Sequence, residues 1–542
     1  MKNKKNLLPL SILLTTCAAC NQPSEEVSEE PETEFVIKDE NLIHSNEIDD
    51  NYRVFYEIFT GSFSDSNGDG IGDLRGIINR LDYLNDGDLN SGKSLGVQGL
   101  WLTPIFQSPT YHKYDVTDYY KIDPDFGTMD DLVELINKCH ERNVKIIIDL
   151  PINHTGHVNK WFLNFSNAHK ANDPTDPYYD YYCYYTSGDP VPSGRNFSSI
   201  YGSNDFYECN FSGNMPELNY DNETVRQEVL AIAKYYLDLG VDGFRFDAAK
   251  YIYYGDNTKS AEFWGWYMNE LRKIKPDIYT VGEVWDSDAI TDYYYKQGLD
   301  CFNFSVSQAE GKIAKTAKRE SINAYTAYIE NYLKRVKSFR KEAMIYPFIS
   351  NHDMDRAAGF VQLSTKQAHV AASLYILSSG SPFMYYGEEI GMKGSRGSAS
   401  SDANRRLAMM WGDEDTIKDP REATYKSKHQ INGTVADHLI DEKSLLNHYK
   451  RLIMIRNANP EIARGEYKAL KTGKDCMGGF ISTYNGKSVM VIHNTGTSDY
   501  VVDISTLTNL PFTTINGIAG DGTAKLEGTT LTISMQTSVV LR

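Results

Sequence analysis

Residues 243–251 read Gly-Phe-Arg-Phe-Asp-Ala-Ala-Lys-Tyr, a short apolar run interrupted by Arg245 and closed by Asp247. The run follows a stretch, 225–239, whose apolar residues recur with helical spacing, so it reads as a buried strand entered from a helix. Side chains alternate along a strand, which puts Arg245 and Asp247 on one side and Phe244 and Phe246 on the other. An Arg that close holds the carboxylate ionised. Runs of the same character stand at 54–59, 99–103, 144–150, 278–281, 343–348 and 382–386, with a weaker one at 299–304. Helical patterns such as 129–142 lie between them. Eight strand–helix repeats predict a parallel sheet closed on itself, a (β/α)8 TIM barrel of the α/β class.

Two segments depart from that rhythm. Residues 153–222, after the third strand, carry Pro, Gly, Asn and Tyr clusters over a length no ordinary βα loop needs. They are expected to form a small irregular inserted domain, which leaves 49–152 and 223–460 to the barrel. Residues 461–542 alternate polar and apolar in runs such as 488–493 and 529–534, the pattern of an antiparallel β-sandwich. That sandwich shows no repeated exposed aromatics and reads as a domain packed on the barrel.

The net charge of -18, from 55 Lys+Arg against 73 Asp+Glu, repels a phosphate backbone and argues against nucleic acid as a partner. Lys2, Lys4 and Lys5 precede the apolar run 7–14, the n-region and h-region of a signal peptide spanning 1–20, too short to cross a bilayer. Its end, Cys17-Ala18-Ala19-Cys20, resembles a bacterial lipobox, in which Cys20 takes a diacylglycerol. The alternative is an ordinary secretory signal with an incidental Cys. Residues 21–48 begin with an acidic stretch almost free of large apolar groups and read as a flexible tether. The chain is therefore expected outside the cytoplasm, at the cell membrane or surface by a lipid anchor, as a monomer. Cys183 and Cys209 either form a disulfide there or are buried thiols.

The mouth of such a barrel is lined by residues just past each strand, and three acids fall there: Asp247, Glu283 and Asp353. Singly, an acid in that place is more often a helix cap or a surface ion pair. Together, in barrel order, they point to acid–base and nucleophilic work on one substrate. Glu283 is followed closely by Trp285, and partial desolvation beside an aromatic raises a carboxyl pKa, so Glu283 is the candidate acid. The loop 65–73, Asp-Ser-Asn-Gly-Asp-Gly-Ile-Gly-Asp, puts oxygen side chains at alternate positions, which suits a hard cation such as calcium. It lacks the twelfth-position Glu of an EF-hand, Gly76 standing there, and an Asx-rich turn without metal is the other reading.

Taken in chain order the sequence resembles the α-amylase family of retaining glycoside hydrolases (family 13). The likeness rests on DLPINH at 149–154, GFRFDAAKY at 243–251, GEVW at 282–285 and SNHD at 350–353. GLWLTP at 99–104, YHKYDVTDYY at 111–120, DPDFGT at 123–128, MPELN at 215–219 and PFMYYGEEIGM at 382–392 extend it across about 52–460. The resemblance implies that Asp247 is the nucleophile, Glu283 the general acid/base, and Asp353 a carboxylate that binds and distorts the reacting sugar. It further implies that Tyr114 is the platform under that sugar. Asp115, His154, Arg245 and His352 join the substrate-binding set, and Lys250 contacts the leaving-group side of an α-1,4-glucan. In the family a loop like 65–73 is a structural calcium site, here with Asp65, Asn67, Asp69 and Asp73 as side-chain ligands and Ile71 binding through its carbonyl. Two positions depart from the pattern: Lys113 stands where Gly is frequent, and Tyr251 where amylases commonly have His. MPELN resembles the group intermediate between oligo-1,6-glucosidases and neopullulanases. The expected activity is cleavage of α-1,4 bonds in starch-type glucans and maltooligosaccharides. The alternatives are an α-glucanotransferase, an oligo-α-1,6-glucosidase and, more remotely, an inactive glycan-binding lipoprotein.

Overall fold

The computed structural model describes residues 34–38, 42, 48–361, 365–412 and 415–542. The signal segment, Cys20 and most of the tether lie outside the described residues. At the centre, Phe55–Ile58, Gly99–Leu102, Lys145–Leu150, Gly243–Phe246, Tyr279–Gly282 and Phe383–Tyr385 are the first to fifth and the eighth strands of one parallel sheet. The first strand pairs with both the second and the eighth. The circle closes through parallel bridges, Gly282 to Cys301 and Phe302 to Tyr346, and through the Phe383 N–H donating to the Pro347 carbonyl at 3.0 Å. The sixth and seventh positions, expected at 299–304 and 343–348, are thus bridges rather than full strands. Pro347 contributes to this, because it has no N–H to extend a ladder.

Alternation along the strands separates two cores. Tyr56, Ile58, Phe244 and Phe246 face outward into the layer under the helices, whereas Phe55, Trp101, Ile147, Tyr279, Val281 and Phe383 fill the barrel interior. Toward the C-terminal ends the inward positions turn ionic: Glu57 sits in register with Trp101, and Asp149 with Arg245. That change from apolar packing to buried charge marks the floor of the site.

The helices that hold the barrel are set by caps and by one apolar stripe each. Thr128 and Asp131 form a reciprocal capping box on Met129–His140, whose buried Leu132, Leu135, Ile136 and Cys139 follow the i, i+3, i+4, i+7 spacing. Asn222 caps Glu223–Asp238. The stretch 153–222 is more regular than its sequence implies. It contains a helix, Lys160–Ala171, and an antiparallel sheet of Tyr184–Thr186, Asp205–Glu208 and Phe197–Ser199. Its many half-buried tyrosines blur the polar–apolar contrast on which periodicity rests. Cys183 and Cys209 are free thiols, the latter 3.3 Å from Ser198 Oγ.

At the C-terminus, Glu466–Ala469, Met477–Tyr484, Lys487–Asn494, Thr537–Leu541 and Ile515–Ala519 make a five-stranded antiparallel sheet. It packs on a three-stranded sheet through Met490, Ile492, Leu531, Ile533 and Val539. Phe480, Val491 and Val540, from the same five strands, join the barrel's outer core. Among the described residues no helix is long and apolar enough to cross a membrane.

Candidate active site

The site is organised around one guanidinium. Arg245 points inward from the fourth strand and is completely buried. Its Nη1 lies 2.8 Å from Asp149 Oδ1 and 2.6 Å from Asp247 Oδ1, and its Nη2 lies 2.9 Å from Glu283 Oε2. A buried cation without partners costs several kcal/mol, so three carboxylates around it offset its desolvation and are fixed by it in return. The arrangement brings Asp247 and Glu283, from neighbouring strands, to one point at the barrel mouth.

Ala248, just after Asp247, adopts left-handed backbone angles of φ 46° and ψ 38°. For a residue other than glycine that conformation costs about 1 kcal/mol. It aims the Ala248 N–H at Glu283 Oε2 at 3.0 Å. Burial pushes the Glu283 carboxyl up to about 7; Arg245 opposes this and the like charges of Asp247 and Asp353 add to it. Desolvation thus raises it, as expected; Trp285 itself is 37% exposed and stacks on Phe304 at 5.1 Å. Burial also raises Asp247, with Arg245 pulling the other way. The ion pair expected from the sequence is present, but it offsets burial rather than outweighing it.

Asp353 is held differently. Burial works to raise it, but His352, Arg406 and Arg245 outweigh that and hold it well below the usual carboxylate range. Arg406 Nη2 stands 2.7 Å from Asp353 Oδ1, and His352 Nε2 3.2 Å from its Oδ2. Tyr114 stacks on His352 at 9° between ring planes, and its hydroxyl lies 2.9 Å from Asp149 Oδ2 and 2.6 Å from His352 Nε2. Lys113, before it, has φ 64°, a left-handed angle that favours glycine. Two ion pairs offset this cost, from Nζ to Asp123 at 3.0 Å and to Asp125 at 2.8 Å.

A cavity of about 610 Å³ lies over these groups, with Tyr114, His154, Asp247, Lys250, Glu283 and Asp353 in its wall. A larger one, about 820 Å³, runs between the loops at 61–71, 107–126 and 418–421 and touches none of the three catalytic candidates. Chemistry, not size, picks the site. His154 is buried, its pKa lowered to about 4 by burial, and its Nε2 has no hydrogen-bond partner among the described residues. It is a neutral ring with one nitrogen to offer a ligand. The MPELN segment positions it: His154 bridges to Glu217, and the Leu218 N–H donates to the Asn153 carbonyl at 3.0 Å. Lys250 Nζ binds the Trp285 carbonyl at 2.9 Å and Asp286 at 3.1 Å.

Three members of the expected substrate-binding set do not line the cavity. Asp115 turns away from it and accepts from Ser108 Oγ at 2.7 Å and from Thr110. Arg245 lies beneath its carboxylates, fully buried. His352 has both ring nitrogens engaged within the protein, Nδ1 with Glu57 at 2.5 Å. Conversely, Arg406 and Glu57 stand at the site outside the set expected from the sequence. A lone acid in the apolar run 54–59 was a readable signal for Glu57, whereas Arg406 sits in an irregular segment with no period to read.

The loop 65–73 is closed by its own side chains. Asp65 accepts from the N–H groups of Asn67, Gly68 and Gly70, Asn67 from Asp69, and Asp69 from Ile71. Asp73 accepts from Gly76 and caps the helix Leu74–Asn79. The donor set is all oxygen and fits a hard cation in chemistry. Among the described residues no three His, Cys, Asp or Glu side chains converge at metal-holding distance.

The fold and the site define a barrel with a pair of unlike carboxyl groups at its mouth and a third that is held ionised. Residues 57–465 match the family model described as Alpha amylase, catalytic domain. "Alpha-amylase 3" of Dictyoglomus thermophilum is 37% identical over 456 residues, 81% of this chain and 84% of that protein. An "Oligo-1,6-glucosidase" of Bacillus cereus is 28% identical over 81% of this chain and 90% of its own length. The solved structure of Eubacterium rectale Amy13B superposes with a TM-score of 0.84 at 35% identity, over 92% of this chain and 96% of that one. The chain belongs to the α-amylase family and is a glycoside hydrolase.

Proposed function

We propose that the enzyme hydrolyses α-1,4 bonds of starch-type glucans and maltooligosaccharides with retention. The observation that carries this is the pairing at Arg245 of Asp247 with Glu283, the latter poised to hold a proton near neutrality. Asp247 forms a bond to the anomeric carbon while Glu283 gives its proton to the departing glycosidic oxygen. Water then yields a proton to Glu283 and its oxygen to the anomeric carbon, and the bond to Asp247 breaks. Asp353, held ionised, accepts from ring hydroxyls and favours the oxocarbenium-like charge. Lys250 at the cavity edge supports an α-1,4 leaving sugar.

A transferase reading has one observation in its favour. Phe211 and Trp285 present partly exposed rings in the same wall, 48% and 37% accessible, surfaces on which an acceptor sugar can displace water. We further propose calcium at 65–73, supported by the oxygen donors, and a lipid anchor at Cys20, supported by the residues before it. Calcium there would brace the loop, away from the anomeric carbon.

Proton NMR of products from maltoheptaose, run with calcium and again with chelator, tests the reading. Early α-anomeric maltose and maltotriose are expected, with chelation lowering the melting temperature more than the initial rate. Products longer than the substrate would replace hydrolysis by transfer. The pH profile is a second check. Glu283 must be protonated and Asp247 ionised, so kcat/KM is expected to fall above about pH 7, approaching tenfold per unit. On the acid side it falls at a pH above the ordinary Asp value near 3.9, because burial raises Asp247. A rate unchanged to pH 9 would remove Glu283 as the acid.

A further inference from the structure

Glu57, on the first strand, is a buried carboxylate that touches no part of the cavity wall. Its Oε1 lies 2.5 Å from His352 Nδ1 and 3.3 Å from the His352 backbone N–H. The other ring nitrogen, Nε2, faces two oxygens, the Tyr114 hydroxyl at 2.6 Å and Asp353 Oδ2 at 3.2 Å. The imidazole is therefore held between a carboxylate on each side, edge-on to Trp101 and stacked on Tyr114.

We propose that Glu57 is a positioning residue for the reaction: by taking the Nδ1 hydrogen it keeps His352 protonated on both nitrogens, so that Nε2–H is presented to Asp353 and Tyr114. With Glu57 ionised, hydrogens on both ring nitrogens give the one complete hydrogen-bond arrangement. A neutral ring with its hydrogen on Nδ1 would set a lone pair on Nε2 against the Asp353 carboxylate. It would also require the Tyr114 hydroxyl to donate to that nitrogen and abandon Asp149. With hydrogens on both nitrogens, Glu57, Asp353 and the Tyr114 oxygen all accept, and the Tyr114 O–H is free to donate to Asp149, where it stands at 2.9 Å. The charged groups around the ring agree. Glu57 and Asp353 flank it, with Asp149, Asp247 and Arg245 beyond, and Arg406 Nε donates to the His352 carbonyl at 3.0 Å. Burial opposes a charged ring, yet Asp353 and Glu57 outweigh it and push His352 up to about 10. Through this chain an acid at the floor of the site keeps Asp353 ionised and the Tyr114 platform square to the sugar, without itself meeting substrate.

Glu57→Gln tests this, because the amide keeps the size and an acceptor for Nδ1–H but not the charge. In enzyme labelled with 13Cε1-histidine, with the signal assigned by its loss in His352→Asn, the wild-type ring is expected to remain an imidazolium to pH 9. In Glu57→Gln it should titrate about two pH units lower or more, with kcat reduced on the order of tenfold to a hundredfold. Glu57→Asp, which restores the charge at shorter reach, should recover part of both. A His352 titration that stays where it was in Glu57→Gln, even with activity or melting temperature reduced, would overturn the proposal, as would a wild-type ring neutral at pH 7. The kinetic arm rests on the hydrolase reading above, whereas the spectroscopic arm needs no turnover. A shifted titration in a protein inactive on α-1,4-glucan would retire that reading and leave the hold of Glu57 on His352 standing.

Discussion

Asp247→Asn is expected to lower kcat by at least about 10⁴-fold while oligosaccharide binding remains measurable. The two side chains are nearly the same size, so the cavity keeps its shape and Lys250, Tyr114 and His154 keep their places in its wall. What is lost is the anion that attacks the anomeric carbon, an interaction made on the way to the transition state and not in substrate binding. KM should therefore move far less than kcat. The carboxamide also gives Arg245 a neutral oxygen at Nη1, which now pairs with Asp247 at 2.6 Å. Removing the neighbouring negative charge should ease the proton of Glu283 off at lower pH. Hydrolysis persisting within tenfold of wild type would exclude Asp247 as the nucleophile.

Arg245→Met is expected to cost stability as well as activity. The guanidinium meets Asp149, Asp247 and Glu283 within 2.9 Å, and all four side chains are largely buried beneath the barrel mouth. Breaking a buried ion pair by removing one partner costs about 3–5 kcal/mol, because the remaining charges stay desolvated. The sign with pH follows from linkage. Without Arg245 the folded-state pKa values of the three acids rise further above their unfolded values. Protonation then relieves the strain at low pH, and stability is lost as pH climbs through those raised values. The gap in melting temperature between Arg245→Met and wild type should thus be wider at pH 8 than at pH 5. A constant gap across that range would mean that the guanidinium acts by packing over Trp101, where it lies 5.2 Å from the ring centroid, and not by charge.

The parts of this architecture that repeat were legible in the sequence. Each full barrel strand is an apolar run buried on both faces, and the acids at 247, 283 and 353 follow those runs at the positions where a barrel opens. Where a segment's role is set by partners distant in sequence, local pattern does not report it. Asp115 and Tyr114 are neighbours, and only the fold decides that one faces the cavity and the other Ser108 and Thr110. His352 adjoins Asp353 and invites a role as a sugar contact, but Glu57, 295 positions away along the chain, takes its Nδ1. The sixth and seventh strands were read from apolar content, which survives, although Pro347 and single bridges replace a continuous ladder. The departure at Lys113 becomes intelligible once Asp123 and Asp125 are placed around its ammonium: the left-handed turn needed before Tyr114 is retained, and ion pairs stand in for the freedom of a glycine.

The account's central claim is that Asp247 becomes bonded to the sugar, and trapping measures this directly. The enzyme is incubated with 5-fluoro-α-D-glucosyl fluoride, in which the ring fluorine slows the second step, and is then digested for peptide mass spectrometry. The expected result is one added 5-fluoroglucosyl group on the peptide containing Asp247, absent when maltotetraose competes. A label on another residue, or turnover of the fluoride with inversion and no labelled peptide, would contradict it.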